Sequence, residues 1–286
     1  MLACTVRECG ARLSRRRRTV VCANGHSYDV ARSGYVNLLQ PQDRRSLDAG
    51  DSKDVVVARS RLLDAGVGCE VIDAFVERVT IRALTADAGV VDLGCGAGHT
   101  LAAVAGRMAV DGVGIDISAA AVERAARTHP HIDWVVANAD RRVPLMDGSA
   151  SVVLSMHGRR NPDECARVLA RGGSLVVAVP GPDDLIELRA AVQGRAVERD
   201  RVAALIADHA HLFRVAHRQL VRERRRLTRE ALGDLLTAPY RGARRGQASA
   251  ISGLEGMEVT FASDIVVFER RDQAVQPQVI RSAGHR

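Results

Sequence analysis

The strongest limit on how this chain can fold comes from a glycine-rich turn at residues 89–99, GVVDLGCGAGH. A short apolar stretch, typical of a buried strand, runs directly into three glycines at alternate positions. Glycine has no Cβ atom, so the backbone can turn sharply there and come close to a ligand. The pattern predicts a strand, a ligand-binding loop at Gly94, Gly96 and Gly98, and then a helix.

A second predicted strand, GVGIDIS at residues 112–118, ends in Asp116, about twenty residues after the glycines. A carboxylate there can accept hydrogen bonds from both ribose hydroxyls of an adenosine-containing cofactor. Capping of a helix is the alternative role for this aspartate. Apolar strands and helices then keep alternating, which predicts an α/β fold with a parallel sheet. The further strands are 132–140, 149–156 and 174–179, and the helices are 162–170 and 182–193.

The pattern changes after residue 193, where residues 213–227 and 257–271 predict a terminal pair of strands with helix 229–236 between them. Five parallel strands followed by such a pair resemble the Rossmann-like seven-stranded sheet of class I S-adenosylmethionine-dependent methyltransferases. An NAD-binding Rossmann domain is the structural alternative, and its fingerprint is G-x-G-x-x-G. The glycines here are spaced G-x-G-x-G and follow Asp92, so S-adenosylmethionine is the predicted cofactor.

The N-terminal residues carry a metal-ligand pattern. Cys4 and Cys9 are separated by twelve residues from Cys22 and His26, so two ligand pairs flank a short predicted hairpin. Structural zinc sites are assembled from two such turns, each supplying two ligands of one tetrahedron. About 37 residues with so few large apolar groups cannot hold a fold unaided, so we expect one structural zinc. Cys69, Cys95 and Cys165 lack partners at ligand spacing and are expected to be buried thiols.

The formal net charge of +7 indicates an acidic partner. Lys53 is the only lysine, so the positive charge is nearly all arginine, which suits phosphates and stacks on bases. Arg15 to Arg18 lie between the two ligand pairs, where a solvated face is the alternative to the phosphate contact that we expect. Residues 222–226, RERRR, are expected to be a solvated outer face, with RNA contact as the alternative. Tyr28, Tyr35 and Tyr240 are candidates for base stacking, with packing of the hairpin as the alternative for the first two.

Three further segments extend the pattern over nearly all of residues 1–270: CANGHSYDVARSGYVNLL (22–39), DAGDSKDVVVARSRLLDAG (48–66) and GPDDLIELRAAV (181–192). With the glycine turn, they resemble the bacterial 23S ribosomal RNA (guanine-N1)-methyltransferases, which include the tylosin- and mycinamicin-resistance enzymes. The resemblance implies methyl transfer from S-adenosylmethionine to N1 of a guanine in 23S rRNA, in a domain II hairpin near the macrolide-binding exit tunnel. Macrolide resistance and housekeeping modification are both open as the biological role.

The resemblance also assigns residues. It implies zinc ligation by Cys4, Cys9, Cys22 and His26, with one extra residue in the first pair, and cofactor contacts at Thr100 and Leu101. Gly68 falls where relatives can place a tyrosine that stacks on the cofactor, so that contact is lost here. Asp184 falls where the family can carry a histidine near the cofactor. The predicted cofactor-binding set is Asp92, Gly94, Gly96, Gly98, Thr100, Leu101, Asp116, Asp140 and Asp184.

The methyl-acceptor side departs from the family. After strand 149–156, where many relatives have an Ala-Pro pair, this chain has SMHGRRNP at residues 155–162, which would retune the acceptor or lower the activity. N1 of a neutral guanine carries a proton that must be lost before or during attack, so a carboxylate or an imidazole should lie nearby. His157 and Asp184 are the candidate bases, and a structural role is the alternative for each.

Four segments are predicted: a zinc-binding RNA-recognition domain (1–40), a helical linker (41–80), a methyltransferase domain (81–271) and a flexible tail (272–286). No stretch approaches ~18 consecutive apolar residues, so we expect no membrane span. With no secretory signal in MLACTVRECG, a cytoplasmic location is predicted. The predicted partners are 23S rRNA and a second copy in a homodimer. Two alternative functions stay open, a methyltransferase acting on a small metabolite and a non-catalytic zinc-containing RNA-binding protein.

Overall fold

The computed structural model describes residues 1–43, 50–83, 89–194, 197–238 and 255–271. Two sheets organise these residues, a three-stranded sheet near the N-terminus and an eight-stranded mixed sheet. Within these ranges, we find no helix whose length and hydropathy would let it cross a membrane.

The small sheet is antiparallel and has the order β1-β2-β3. Its strands are β1 (Leu13–Arg16), β2 (Thr19–Cys22) and β3 (Ser27–Asp29). The turn between β1 and β2 contains Arg17, which has a positive φ of 52°. The predicted arginine run therefore occupies the end of this hairpin.

The large sheet has the order β10-β11-β9-β8-β5-β6-β7-β4. Its strands are β4 (Val36–Asn37), β5 (Gly89–Leu93), β6 (Gly112–Asp116), β7 (Asp133–Val136), β8 (Ala150–Met156), β9 (Leu169–Pro180), β10 (Phe213–Thr228) and β11 (Gly256–Arg270). Strands β4 to β9 are parallel to one another, and β11 lies antiparallel between β9 and β10. The predicted seven strands are confirmed. The N-terminal segment adds β4 to the β7 edge as an eighth.

Eight α-helices connect or cover these strands in the described residues. They are α1 (Lys53–Asp64), α2 (Cys69–Ala83), α3 (His99–Arg107), α4 (Ala119–Thr128), α5 (Pro162–Val168), α6 (Ile186–Gln193), α7 (Val202–His209) and α8 (Arg229–Thr237). A 3-10 turn, Pro41–Asp43, follows β4. Helix α7 has no counterpart in the sequence prediction.

Alternate residues of the parallel strands pack into two different clusters, as expected for a sheet covered on both faces. Val90, Trp134 and Val152 pack with helices α2, α3 and α4 on one face. Val91 and Val153 belong to the other face. There the buried residues of the N-terminal module, which comprises the small sheet and β4 within residues 1–43, join those of α5 and α7. The N-terminal module thus shares a hydrophobic core with the large sheet.

A third apolar cluster lies above the end of the sheet. It joins α1, α6 and α8 to the adjoining ends of β10 and β11, through Leu62, Leu188, Leu235 and Phe261. Arg61 of α1 makes a bidentate salt bridge with Asp234 of α8. We call this cluster the apolar roof. Six of its buried side chains also line the cleft described below: Leu62, Val67, Leu185, Leu188, Leu235 and Phe261.

Residues 222–226 anchor the junction between α1 and α2. The buried Glu223 carboxylate accepts hydrogen bonds from the amides of Gly68 (3.2 Å) and Glu70 (3.0 Å), at the start of α2. Amides at a helix N-terminus have no intrahelical partner, so this carboxylate caps the helix. Arg225 donates to the carbonyls of Ala65 and Gly66, just after α1. The prediction of a solvated outer face is therefore wrong for Glu223 and Arg225.

Glu223→Ala should lower the free energy of unfolding by about 2–3 kcal/mol, because two helix amides would lose a charged acceptor. Glu223→Gln keeps one carbonyl acceptor and should lose about half as much. Urea denaturation measures both. Arg224→Ala is the matched control, since Arg224 makes a surface ion pair with Glu258 that should contribute at most about 1 kcal/mol. Equal losses for Glu223→Ala and Arg224→Ala would contradict the capping role.

Candidate metal centre and cofactor cleft

The four predicted zinc ligands converge at one point. The ligand atoms of Cys4, Cys9, Cys22 and His26 all lie within 4.8 Å of one another. The Sγ atoms of Cys9 and Cys22 are 3.8 Å apart, and His26 Nδ1 lies 3.4 Å from Cys22 Sγ and 3.5 Å from Cys4 Sγ. A tetrahedral zinc with bonds of about 2.3 Å to sulfur and about 2.0 Å to nitrogen needs edges of roughly 3.5–3.8 Å. The four side chains fit a structural zinc ion.

Backbone turns bring the ligands together. Cys9 N–H donates to the Val6 carbonyl, and Gly25 N–H donates to the Cys22 carbonyl, so each ligand pair encloses a tight turn. Gly10 and Gly25 have positive φ values of 59° and 82°, the conformation that glycine adopts without steric cost. The sequence therefore puts glycine where each turn needs it.

Two side chains that the sequence did not assign to this centre contact its sulfur atoms. Tyr28 Oη lies 3.2 Å from Cys4 Sγ, and Asn24 Nδ2 donates to Cys9 Sγ at 3.2 Å. A hydrogen bond from the Ala11 backbone is the main cause that lowers the pKa of Cys9 to about 6, which favours the thiolate that binds a metal. Of the three tyrosines considered for base stacking, Tyr28 therefore contacts the metal centre through its hydroxyl, and Tyr35 packs on the core of the large sheet. Tyr240 lies outside the described residues.

The exposed arginine tip, Arg15 to Arg18, projects from the same module. Arg15 lies 3.6 Å from Asp133, at the limit of an ion pair. Within the described ranges, no carboxylate pairs with Arg16, Arg17 or Arg18. These guanidinium groups therefore remain available to an external anion.

The remaining cysteines differ from one another. Cys95 and Cys165 are buried, as predicted. Cys69 is exposed, so its prediction as a buried thiol is wrong. It is the first residue of α2, where the side chain lies outside the apolar face of the helix.

A cleft of about 1050 Å³ opens at the carboxyl ends of the parallel strands. Ligands of open α/β sheets bind at this edge, where successive connections cross to opposite faces of the sheet. Seven of the nine predicted cofactor-binding residues line this cleft. These are Asp92, Gly94, Gly96, Thr100, Asp116, Asp140 and Asp184.

The glycine turn forms the floor of this cleft. Gly94, Gly96 and Gly98 have positive φ values of 78°, 55° and 87°. A Cβ atom on Gly96 would meet no protein atom within 4 Å, so this loop leaves room for a ligand against the backbone. Gly96 N–H donates to Asp116 Oδ2 at 2.9 Å, and Ser118 N–H donates to Oδ1 at 2.8 Å. The carboxylate is fixed, with lone pairs left for the ribose hydroxyls of an adenosine group.

Gly98 and Leu101 are the two predicted cofactor residues that do not line the cleft. A Cβ atom on Gly98 would lie 2.5 Å from the Trp134 ring, so glycine is required there for packing. Leu101 is fully buried in the core beneath the turn. For these two positions, the structure supports a role in shaping the loop rather than a side-chain contact with the cofactor.

Asp92 lies beneath the glycine turn and is only 2 % exposed. Its Oδ2 has no hydrogen-bond partner in the described part of the chain. Burial, and then the nearby Asp116 carboxylate, raise the pKa of Asp92 to about 8. An unsatisfied buried carboxylate at the cleft wall fits a cationic ligand, and S-adenosylmethionine carries both a sulfonium and an ammonium group.

The remaining wall includes residues that sequence reasoning missed. Asp51 and Arg59 form an ion pair of 2.5 Å at the start of α1, and Ser118 Oγ donates to the Asp51 carbonyl. Asn138 Nδ2 donates to the Asp43 carbonyl. Asp51 therefore lies against the loop that follows Asp116, and Asp43 lies against the loop that follows β7. Nothing in a local motif signals these contacts, since they join residues far apart in sequence.

At the other end of the cleft, His157 and Asp184 are held by consecutive residues of β11. His157 Nε2 lies 2.8 Å from Ser263 Oγ, and Asp184 Oδ1 accepts from Ala262 N–H at 3.0 Å. His157 has a positive φ of 55°, a strained conformation for a residue with a side chain. Both candidate bases therefore face the cleft beyond the end of β8, away from the Asp116 end.

Comparison with known proteins agrees with these two sites. A family model described as "RlmA, N-terminal", a zinc ribbon, matches residues 3–47, and one described as "Methyltransferase domain" matches residues 90–173. The chain is 39 % identical over 235 residues to the 23S rRNA (guanine(748)-N1)-methyltransferase of Streptomyces fradiae, with 80 % of this chain and 81 % of the relative covered.

Two further relatives are candidate 23S rRNA (guanine-N1)-methyltransferases. That of Micromonospora griseorubida is 34 % identical, with 70 % of this chain and 68 % of the relative covered. That of Bacillus subtilis (strain 168) is 30 % identical, with 87 % of this chain and 90 % of the relative covered. A zinc ribbon joined to an S-adenosylmethionine-dependent methyltransferase fold, and identity over most of the chain, show that this protein belongs to the 23S rRNA (guanine-N1)-methyltransferase family.

Proposed function

We propose that this protein transfers a methyl group from S-adenosylmethionine to N1 of a guanine in 23S rRNA. Its relative from Streptomyces fradiae carries that activity in its name. The observation that carries the proposal is the shape of the cleft. One end has the glycine loop and Asp116, and the other end has His157 and Asp184 under an apolar roof. Such a cleft has room for a cofactor and an acceptor base end to end.

Each part of the cleft has a defined task in this reaction. When bound, S-adenosylmethionine supplies an electrophilic methyl group. The Asp116 carboxylate would accept from the ribose hydroxyls, and the backbone at Gly96 would contact the cofactor closely. The roof residues Leu62, Leu188 and Phe261 would exclude water around the acceptor base. The protein therefore contributes mainly alignment and desolvation, which suffice for an in-line displacement.

The proposal is tested with protein-free 23S rRNA and labelled S-adenosylmethionine. Methylation at N1 blocks Watson–Crick pairing, so primer extension should stop at one guanine of RNA treated with the enzyme. Incorporation of label into a panel of small metabolites instead of RNA would identify the metabolite methyltransferase. Failure to bind S-adenosylmethionine in calorimetry would identify the non-catalytic RNA-binding protein.

Contact between the arginine tip and RNA phosphates is part of the proposal. It is supported by the exposure of Arg15 to Arg18 and by the zinc module that holds the hairpin. If these four arginines contact phosphates, replacing all of them with serine should weaken RNA binding. It should also flatten the plot of log affinity against log salt by about 0.7–0.9 unit for each lost contact. Zinc content and S-adenosylmethionine affinity should stay unchanged, because none of residues 1–43 lines the cleft.

A control variant with the same change in net charge distinguishes phosphate contacts at the arginine tip from the general attraction between a basic protein and RNA. It replaces Arg107, Arg127, Arg214 and Arg224 with serine, and each of these already pairs with a surface carboxylate. We expect a smaller change in the salt slope for this control. Identical slopes for the tip variant and the unmodified protein would mean that the tip is only a solvated surface.

The biological setting is also part of the proposal. A 23S rRNA substrate implies a cytoplasmic enzyme. Macrolide resistance remains a prediction, tested by the growth of a susceptible bacterium that expresses the protein in the presence of tylosin. The homodimer likewise remains a prediction, tested by light scattering.

A further inference from the structure

We infer that Asp184 is the general base of this reaction and that it accepts the N1 proton of the guanine. This inference rests on the proposed function, and it names the residue that makes the acceptor nucleophilic. Three features support it: the hydrogen bonds that hold the Asp184 carboxylate, the contacts of the other titratable groups in the cleft, and the charges near Asp184.

The Asp184 carboxylate is held rigidly at the cleft wall. Its loop is joined to β11 by three hydrogen bonds, from Gly181 N–H to the Ala262 carbonyl, from Leu185 N–H to the Thr260 carbonyl, and from Ala262 N–H to Asp184 Oδ1. Among the described residues, no side chain or amide donates to Oδ2. One oxygen is therefore anchored, and the other can accept a proton from a bound base.

Backbone strain occurs at the next residue. Leu185 has a positive φ of 54°, and it is buried in the apolar roof. Glu187, in the first turn of α6, accepts from both the amide and the hydroxyl of Thr260. A strained conformation persists only where its surroundings determine it, and such residues concentrate at functional sites. Asp184 and Leu185 both line the cleft, so this strained turn forms part of its wall.

The other carboxylates of the cleft are less suited to this step. Asp116 already accepts two backbone amides at the ribose end, and Asp140 pairs with Arg159 at 3.0 Å. Asp92 is only 2 % exposed and lies beside the glycine turn, at the cofactor end of the cleft. The side chain of Asp208 is 69 % exposed, so it lies in solvent rather than in a desolvated site. Asp184, in contrast, lines the cleft and is only 8 % exposed.

His157 is the other titratable group at this end of the cleft. Its Nε2 is engaged with Ser263 Oγ, next to the residue that anchors Asp184. This arrangement fixes the imidazole ring beside the acceptor site. We therefore assign His157 to positioning, and the removal of the proton to Asp184.

The surroundings match Asp184 to proton transfer near neutral pH. Burial raises its pKa to about 7, against the opposing effects of the Ala262 amide and of Arg201 and Arg189. Asp183, the neighbouring carboxylate, adds to the rise. A base with a pKa near the working pH is ionised in a large fraction of molecules and still has proton affinity. The two arginines also place positive charge where a deprotonated guanine would develop negative charge.

Asp184 Oδ2 takes the proton from N1, and the electron pair left on N1 forms the new bond to the methyl carbon. The bond between carbon and sulfur breaks, and its electron pair stays on sulfur. The products are N1-methylguanine, S-adenosylhomocysteine and a protonated Asp184, which returns its proton to solvent.

Asp184→Asn tests the assignment, because asparagine keeps an oxygen that can accept from Ala262 N–H but cannot take the proton. Single-turnover methylation of protein-free 23S rRNA should be slower by about 10²–10⁴-fold. In the unmodified protein, the rate should rise with pH and level off above about 7, since the ionised form of a group with a raised pKa is active. The variant should lose this pH-dependent rise. Calorimetry should give the same S-adenosylmethionine affinity for both proteins.

Asp73→Asn is the matched control, because it removes one exposed carboxylate of α2 outside the cleft and should leave the rate and the pH profile unchanged. A rate for Asp184→Asn within a few-fold of the unmodified protein overturns the inference. So does a fall in S-adenosylmethionine affinity that accounts for the whole loss of rate, since Asp184 would then serve the cofactor. Failure of the proposed function is distinct, because the unmodified protein itself would then methylate no guanine.

Discussion

Cys22→Ser is expected to reduce the zinc content from about one ion per chain to nearly none. Cys22 Sγ contributes two close edges of the ligand tetrahedron, to Cys9 Sγ and His26 Nδ1, and three ligands without it cannot close the site. Structural zinc contributes an apparent binding free energy of about 10–16 kcal/mol in small zinc modules. Few large apolar residues hold this module, so its sheet should loosen when the metal leaves. Metal analysis and proteolysis of the N-terminal segment measure both effects.

S-adenosylmethionine affinity should be largely preserved in Cys22→Ser, because the cleft lining includes no residue from the range 1–43. RNA affinity should fall together with the zinc content, since the arginine tip would lose its rigid support. Cys69→Ser is the matched control, a cysteine replacement at an exposed site remote from the ligand cluster. It should retain zinc and proteolytic resistance. If the S-adenosylmethionine affinity of Cys22→Ser fell in parallel with its zinc content, the N-terminal module and the cleft would fold as one cooperative unit.

The zinc ligands and the main sheet could be predicted because local rules determine them. Two ligand pairs at short spacing leave few arrangements other than a tetrahedral site. The five parallel strands of the methyltransferase fold appear in the sequence as short apolar runs, and their arrangement with the terminal pair follows from the resemblance. Strand β4 was harder to predict, since its two residues, Val36 and Asn37, are too few to show a hydrophobic periodicity.

The contacts that complete the cleft could not be predicted, because they join distant parts of the chain. Glu223 caps α2 across more than 150 residues, and its sequence context, RERRR, has the composition of a solvated strand. Ser263 and Ala262 hold the two candidate bases, yet neither residue type signals a site. The sequence spacing assigns Gly98 to the glycine motif. Only the structure shows that glycine is needed there because the Trp134 ring leaves no room for a Cβ atom. Long-range side-chain geometry decides such roles.

Asp116→Ala is expected to weaken S-adenosylmethionine binding by about 1.5–3 kcal/mol, the range for hydrogen bonds to a charged group, or roughly 10- to 150-fold in affinity. The substitution removes the acceptor proposed for the ribose hydroxyls. It also leaves the amides of Gly96 and Ser118 without the carboxylate that holds them. The glycine loop and the start of α4 should then be less well ordered before the cofactor arrives, which adds to the loss.

Calorimetric titration with S-adenosylmethionine measures this loss, and circular dichroism checks that the fold is retained. Asp111→Ala is the matched control, since Asp111 is an exposed aspartate just before the first residue of the same strand, β6. It removes the same charge from the end of the strand opposite the cleft and should leave the affinity unchanged. Two causes of a loss can be told apart with adenosine as a competitor. If Asp116 holds the ribose, adenosine and S-adenosylmethionine should weaken by similar factors, because both carry the same two hydroxyls. A loss confined to S-adenosylmethionine would instead place Asp116 near the methionine part of the cofactor, and an unchanged affinity for both would place the ribose elsewhere in the cleft.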